Sequence, residues 1–526
     1  MAANEPSRPP VGSSNRVVAG AAPQDGPSSE RSKAVGPAVG GAGHPARGRS
    51  DQHHNPLKAP LLKKVQARSR HITREESSIN HTWVYITTFF AVMGNIALGY
   101  GLGYTSPTQE EMQADLNLST SQFSTVGSLI TLGAMAGAII SGRVADYFGR
   151  KGGLIVSCIP SIGGYLLIAF AQSTIPLYIG RFATGLAGGV VCFIVPTLVA
   201  ETAPRHLRGF LGTMQQFSIT VGILLAYALG IFMSWRLLAA AGTIPCIISL
   251  IGFIFVPESP FWLAKLEKAE DLELSLQKFR GKDYNISREL SDIKATAEAA
   301  KHEPKSKLTD LFQKRYVRPL FVGCGIMALQ QFSGVNGVML YSTAIFLSAG
   351  VPSATLAALS IAVLQVIMTL SSAGLVDRAG RRLLLLVSGS GMTISLFFVA
   401  LSFYFKETAD EATMSSGMEL FIDILALASL LVFVAAFSIG FGPVPWVVMS
   451  EIFPHNVKAN AGSMASLVNW SSAWLITMTF NFFLEWSTSG SFWIFSAFSL
   501  CSVIFVALWV PETRGKTLEQ IEQSFK

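Results

Sequence analysis

One signature occurs twice along this chain, and each copy stands in short charged stretches beside long apolar runs. Asp146-Tyr147-Phe148-Gly149-Arg150-Lys151 is echoed by Asp377-Arg378-Ala379-Gly380-Arg381-Arg382. Glu201-x-x-Pro204-x-x-x-Arg208 returns as Glu451-x-x-Pro454-x-x-x-Lys458, and Pro257-Glu258-Ser259-Pro260 as Pro511-Glu512-Thr513-Arg514. One such match is within chance. Three in the same order are an internal duplication, so the chain is expected to fold as two halves of like architecture.

Polarity then fixes the surroundings. Half of the 526 residues are hydrophobic and only 14% are charged, so a fold immersed in water would expose large sticky patches. Many apolar runs reach the roughly 20 residues that cross a bilayer. Twelve spans are expected, at 82–103, 124–144, 154–172, 177–199, 210–232, 236–256, 317–348, 354–376, 383–404, 421–449, 461–484 and 491–510. Gly and Pro interrupt several of them, which membrane helices tolerate when neighbours satisfy the freed backbone. The expected fold is an all-α integral membrane protein, its twelve transmembrane helices divided between two six-helix bundles.

Charge orients the spans. Arg143, Arg150, Lys151, Arg205, Arg208, Arg378, Arg381, Arg382 and Lys458 fall in loops on one side; Glu110, Glu111, Asp115, Glu407, Asp410 and Glu411 fall on the other. The positive-inside rule puts the basic side and both termini in the cytosol. The net charge of +7 is mostly this bias, not a nucleic-acid-binding face. Five segments result. A tail at 1–81, rich in Gly, Pro, Ser and Ala, is expected to be disordered and lacks the apolar core of a signal peptide. Bundles at 82–256 and 317–510 flank a Lys- and Glu-rich linker at 257–316, with short amphipathic helices at 266–280 and 287–302. A short charged tail closes the order at 511–526.

Enzyme chemistry is not legible. Cys158, Cys192, Cys246, Cys324 and Cys501 fall in apolar runs with no CxxC pair and no His at metal spacing, and read as small hydrophobes. With no nucleophile–base pair, metal cluster or phosphate loop, no catalytic residue, metal or cofactor is expected.

Two constellations stand out. Asp146, Arg150, Glu201, Arg208, Glu258, Asp377, Arg381, Arg382, Glu451, Lys458 and Glu512 gather on the basic side. Singly they are topogenic charges, and Lys151 is best read so. As paired copies they form a gate, with ion pairs that tie the bundles together while the outside is open and break when the inside opens. An exposed pair contributes only about 0–1 kcal/mol, so a gate needs a network.

The second constellation, Gln330-Gln331-Phe332-Ser333-Gly334-Val335-Asn336, lies in the middle of the seventh run. Amides are costly in lipid, so they face the bundle interior and mark a solute path. Each amide both donates and accepts, which suits the alternating hydroxyls of a sugar. Any one of them also serves as helix–helix glue. That reading weakens because Gln216, Gln365 and Asn469 also fall mid-run. Trp446 and Trp470 supply flat apolar faces for sugar C–H groups, with ordinary packing as the alternative. No acid stands clearly in the middle of the early spans, which argues against ion coupling.

Through these and further motifs, residues 82–526 resemble the sugar porter family of the major facilitator superfamily. The resemblance is carried by Gly142-Arg143-x-x-Asp146-x-x-Gly149-Arg150-Lys151, Gly180-Arg181, Glu201-x-x-Pro204-x-x-x-Arg208-Gly209, Pro257-Glu258-Ser259-Pro260-x-Trp262-Leu263, Gln330-Gln331-x-Ser333-Gly334-x-Asn336, Gly440-x-Gly442-Pro443-x-Pro445-Trp446 and Pro511-Glu512-Thr513-x-Gly515. Gly103-Tyr104-Thr105-Ser106-Pro107-Thr108-Gln109 and the run from Ser234-Trp235-Arg236 to Pro257 look like the plant early-dehydration-response group of monosaccharide transporters. The animal glucose transporters are similar but a step further away. The resemblance implies the major facilitator fold, alternating access, and sugar contacts from Gln216, Gln330, Gln331, Asn336, Trp446, Asn469 and Trp470. Gln365 stands where the family has Asn, with the same chemistry and a longer reach. Ser438 replaces an acid that hydrogen-bonds hexose in many animal members, and Gly101 replaces the proton-binding Asp of symporters, although Arg181, the usual partner of that Asp, is present. Phe261 replaces the usual Arg of Pro-Glu-Ser-Pro-Arg, which thins the gate network.

The expected function is transport of a monosaccharide, glucose foremost, across a lipid bilayer by facilitated diffusion. Proton-coupled symport or export is the alternative. A non-transporting sugar sensor is a remoter one, since neither tail looks like an effector domain. Leu57, Leu61 and Leu62 in the first tail are either a chance apolar cluster or a sorting signal. The related plant group carries a dileucine signal in this tail and includes vacuolar members, so the resemblance implies a sorting adaptor as partner. The vacuolar membrane is the expected address and the plasma membrane the alternative.

Overall fold

In a computed structural model, residues 80–302, 308–351, 353–408, 416–453, 457–516 and 518–525 are described. The stretch containing Leu57, Leu61 and Leu62, residues Asp410, Glu411 and Pro454, and the side chains of Arg208 and Asp377 lie outside that description.

The first half consists of α1 (Thr82–Leu116), α2 (Thr120–Tyr147), α3 (Gly149–Ala169), α4 (Thr174–Thr202) and α5 (Arg205–Gly230), then a span in two pieces, α6 (Trp235–Ala241) and α7 (Thr243–Phe255). Lipid supplies no hydrophobic drive between helices, so close packing through small residues must do it. A Cβ on Gly133 or Gly137 of α2 would strike the α4 backbone, and one on Gly185 or Gly189 of α4 would strike the α2 backbone.

The linker forms α8 (Pro260–Lys265), α9 (Ala269–Arg280) and α10 (Ser287–His302), followed by a single 3₁₀ turn at Leu308–Phe312. Leu263, Leu272, Leu276, Ile286 and Ile293 give it a small core of its own. It also docks on the first half. Phe279 is buried with Val84, Val199 and Leu211, Arg280 donates to the Thr202 carbonyl at 2.8 Å, and Lys278 sits 3.9 Å over the Trp83 ring.

The second half consists of α11 (Lys314–Phe332), α12 (Val335–Leu340), α13 (Ser342–Ser348), α14 (Ala354–Ala379), α15 (Arg381–Thr408), α16 (Ser416–Ile439), α17 (Val444–Ile452), α18 (Lys458–Trp486) and α19 (Thr488–Trp509), with α20 (Leu518–Ser524) beyond it. The halves meet where α2 packs on α18 and α5 packs on α14.

Several expected boundaries move. α1 does not stop at 103 but runs to Leu116, so Glu110, Glu111 and Asp115 are helical rather than in a loop. The extension is anchored, because Asp115 pairs with Arg236 at 2.9 Å and Glu111 accepts from the Trp235 amide at 3.0 Å. α9 starts at Ala269 instead of 266 because Glu267 adopts a φ of 60°, which ends the preceding helix. Glu407 lies within α15, not in a loop after it, and accepts from the Ser489 amide at 3.0 Å. Ten segments among the described residues are long and apolar enough to cross a membrane. Of the other two expected spans, 317–348 is broken into α11, α12 and α13, and 461–484 lies in α18, whose 29 residues are studded with Ser, Thr and Asn. The break after α11 falls at Gly334, where φ is 83° and a Cβ would stand 2.9 Å from the Phe495 ring.

Candidate functional site

Between the halves lies a cavity of about 520 Å³. Its wall contains Gln216 from α5, Gln330 and Gln331 from the end of α11, Asn336 from α12, Gln365 from α14, Trp446 from α17, and Asn469 and Trp470 from α18. The eight residues singled out as one solute path, on six helices, therefore face one space. The α11–α12 break makes this arrangement. It ends the helix just after the paired glutamines and starts the next turn one residue before Asn336.

The amides are linked. Asn336 donates to Gln331 at 2.6 Å, Gln331 donates to Gln330 at 3.3 Å, and Asn469 donates to Gln330 at 2.7 Å. Gln365 is buried, and among the described residues its side-chain oxygen has no hydrogen-bond partner. An amide oxygen that no protein donor reaches is free to accept from a solute hydroxyl. The sequence reading missed Thr369, one helical turn beyond Gln365, which joins the wall. It also missed Gln215, whose amide donates to the Cys192 carbonyl at 3.0 Å. Ser438 donates back to Val434 on its own helix at 2.7 Å.

The cavity reaches the face that carries the charged motifs, where Arg381, Ser450 and Glu451 border it. At the other end the halves are in contact. The Ser106 hydroxyl lies 3.0 Å from that of Ser342 and 2.9 Å from that of Thr343, and Tyr227 bonds to the Met339 carbonyl and to Ser342. Thr131 meets Thr477 at 3.2 Å, and Asn481 donates to Ser124 at 3.0 Å. This closure uses hydroxyls, an amide and a backbone carbonyl.

The duplicated motifs fold into two matching cages. In the first, Arg150 pairs with Glu201 at 2.7 Å, Ser259 bonds to Glu201, and Glu258 accepts from the backbone amides of Arg150 and Lys151 at 3.0 Å. In the second, Arg381 pairs with Glu451 at 3.0 Å, Thr513 donates to Glu451 at 2.6 Å, and Glu512 accepts from the amides of Arg381 and Arg382 at 3.0 and 3.1 Å. Gly149 and Gly380 have φ of 82° and 91°, and a Cβ on either would run into the glutamate that caps the following helix. Burial raises the Glu258 carboxyl above its ordinary value, against the pull of the amides that bond it. Burial pushes Glu512 the same way, but its four backbone amide bonds prevail and hold it below. Asp146 turns to Lys265 at 2.8 Å, with Arg150 4.0 Å away. The bonds of both cages run within one half each; the sequence reading expected pairs between the halves only while the opposite side is open. Lys458 starts α18 on the same face, and the backbones of Arg208 and Asp377 lie in α5 and α14.

Arg181 is fully buried. It donates to the Gly101 carbonyl at 2.7 Å, to the Val126 carbonyl at 3.2 Å and to the Thr105 hydroxyl, and lies 5.1 Å from the centre of the Tyr104 ring.

Two duplicated helical halves around a polar, amide-lined cavity define a membrane carrier of the major facilitator type. Residues 87–525 match the family described as "Sugar (and other) transporter". The chain is 46% identical over 451 residues to "Sugar transporter ERD6-like 6" of Arabidopsis thaliana, covering 86% of this chain and 91% of that protein. It is 45% identical to "Sugar transporter ERD6-like 7" of the same plant, covering 84% and 93%. Among solved structures it is similar to the inward open conformation of the xylose transporter XylE from E. coli, with a TM-score of 0.71, 26% identity, and coverage of 84% of this chain and all of that one. The proton:xylose symporter XylE bound to 6-bromo-6-deoxy-D-glucose gives a TM-score of 0.70 at 26% identity, with 85% of this chain and all of that one covered. The chain belongs to the sugar transporter family.

Proposed function

We propose that this protein carries a neutral monosaccharide across a membrane by alternating access, and that the conformation described here opens toward the cytosol. The carrying observation is one cavity walled together by Gln216, Gln331, Asn336, Gln365, Asn469, Trp446 and Trp470, with Gln330 among them. Its volume suits a small ligand. Amides match hydroxyls in both directions, and indole faces take C–H surfaces. The charged motifs line the cytosolic face by the positive-inside rule. Their cages act as the gate, re-pairing across the halves when the opposite side opens.

Transport is uncoupled from protons in this reading. Its support is that a side chain at Gly101 would collide with Ile130 and Tyr165, while Arg181 is bonded by carbonyls and a hydroxyl. The structurally similar XylE is a proton:xylose symporter, so coupling is the competing reading. Uptake of labelled glucose and xylose into proteoliposomes decides between them. The expected result is equilibration at the same level with or without an inward proton gradient. Accumulation above equilibrium that a protonophore abolishes overturns uncoupled transport, and no uptake of any monosaccharide overturns the function.

The proposed address is the vacuolar membrane, read from Leu57 and Leu61–Leu62 by a sorting adaptor. Replacing Leu61 and Leu62 with Ala should move a fluorescent fusion to the plasma membrane. An unmoved fusion rules these residues out as the signal.

A further inference from the structure

α4 runs from Thr174 to Thr202, yet Pro196 stands inside it. Proline has no N–H, so the Cys192 carbonyl, four residues before it, loses its helical donor. Gln215 of α5 replaces that donor, its Nε2 bonding to the Cys192 carbonyl at 3.0 Å. Only the NH₂ end of an amide can meet a carbonyl oxygen, so the orientation of this side chain is fixed. Cys192, Pro196, Gln215 and Gln216 all border the cavity.

The second half repeats the arrangement. Pro443 deprives the Ile439 carbonyl, and Ser372 of α14 donates a hydroxyl to it at 2.8 Å. Pro445 deprives the Phe441 carbonyl, and Gln330 of α11 donates there and to the Gly442 carbonyl at 3.1 Å. At the offset that relates Glu201 to Glu451, Cys192 corresponds to Gly442. In each half, then, a carbonyl at the same place in the duplicated span takes a side-chain amide from another helix.

In α5 this bond falls at a place where little else holds the helix. Further along, α5 lies directly on α1, since a Cβ on Gly222 would strike the Ile96 carbonyl. Toward the charged face the packing is open, and among the described residues a Cβ on Gly212 would meet no atom within 4 Å. Gln215 stands between the two. Gln216 is the next residue, about 100° round the helix, so whatever fixes the rotation of α5 at Gln215 also aims Gln216. We infer that Gln215 is a positioning residue: by donating to the carbonyl that Pro196 deprives, it ties α5 to α4 and sets the direction in which Gln216 enters the cavity. This rests on the reading of the cavity as a sugar site.

Full-length protein in nanodiscs tests it by equilibrium binding of glucose. Gln215→Met, of similar volume but without a donor, should weaken binding about fivefold, the worth of one net hydrogen bond. Gln215→Leu serves if the methionine variant does not fold. A variant that folds and binds as tightly as the parent overturns the inference, because the bond then serves stability alone. Two backgrounds separate positioning from contact. Where Gln216→Ala has already removed the aimed amide, adding Gln215→Met should change affinity by less than about twofold. Where Pro196→Ala has returned an N–H to the Cys192 carbonyl, the same addition should again cost less than about twofold. A full loss in either background means that Gln215 acts on the sugar by itself and overturns the inference.

A second readout needs no sugar. With Cys192 kept as the sole cysteine and its carbonyl labelled with carbon-13, Gln215→Met should move the labelled infrared band to higher frequency, as loss of a hydrogen bond does. Pro196→Ala should move it back. A band that Gln215→Met leaves in place overturns the inference. If the unaltered protein binds no monosaccharide, the transport reading falls, and the infrared band alone judges Gln215.

Discussion

A Cβ placed on Gly101 would stand 3.0 Å from the hydroxyl of Tyr165, and the two residues exclude any larger side chain between them. Tyr165 is itself fixed by donating to the Ala97 carbonyl. Installing a carboxylate here therefore means moving Tyr165 and Ile130, whose Cδ1 would lie 2.7 Å from the new atom. Gly101→Asp should destabilise the protein by roughly 1–3 kcal/mol, as overpacking does. Thermal melting in detergent measures this, and adding Tyr165→Phe should recover part of the loss. A Gly101→Asp variant as stable as the parent would show that the space is larger than described.

Gln331→Ala and Asn336→Ala each remove a link from the amide chain and leave a facing group unpaired. The expected cost in sugar binding is about 1–3 kcal/mol each, with normal insertion and folding. Equilibrium binding to purified protein is the measurement. Undiminished affinity in both variants would place the sugar elsewhere.

The closure opposite the charged face is uncharged, and hydroxyl bonds hold it. Tyr227→Phe with Ser106→Ala removes the bonds to Met339, Ser342 and Thr343. Each net bond contributes about 1 kcal/mol, so the population should shift toward opening on that side. A cysteine at Leu340, in a background without the five native cysteines, should then react faster with an impermeant thiol reagent applied from that side. Because no charge is involved, the closure should respond little to salt.

The two capping glutamates should protonate in a fixed order. Burial makes the protonated form of Glu258 the favoured one, so its contribution to stability is complete at low pH and lost as pH rises through its raised value. Burial acts on Glu512 too, but its backbone amides outweigh it; that contribution is present above the ordinary glutamate value and lost as pH falls through the depressed one. On acidification Glu258 should take up its proton before Glu512. Isotope-edited infrared titration follows the carboxyl bands, with Glu258→Gln deleting the earlier step and Glu512→Gln the later. A reversed order would contradict the difference between the cages.

Much of this was legible in the sequence, for physical reasons. Charged residues cannot stand in lipid, so Arg150, Glu201, Arg381 and Glu451 marked the loops between the helices. Gln330, Gln331 and Asn336 marked the cavity because amides are costly in the same place. The breaks at Gly334 and Gly440–Pro443 were not located, since an apolar run continues through Gly and Pro without changing its hydropathy. The bonds that Gln330 donates were also invisible, because their acceptors are the backbone carbonyls of Phe441 and Gly442, 111 and 112 residues away. The hydroxyl closure left no periodic trace either. Ser106, Thr131 and Ser342 read as ordinary small residues until the halves are brought together.

The cages have a consequence for biosynthesis. Each needs a glutamate from the far end of its own half: Glu258 caps α3, and Glu512 caps α15. A chain leaving the ribosome from its N-terminus can complete the first cage once Glu258 has been made, before any residue of the second bundle exists. α15 must wait for Glu512, through the synthesis of three more membrane spans, as α3 waits through three for Glu258. Domains made first generally fold first. The first half can therefore serve as a finished template against which the later second half is assembled, and damage to Glu512 should strand the nascent protein at a later stage than damage to Glu258.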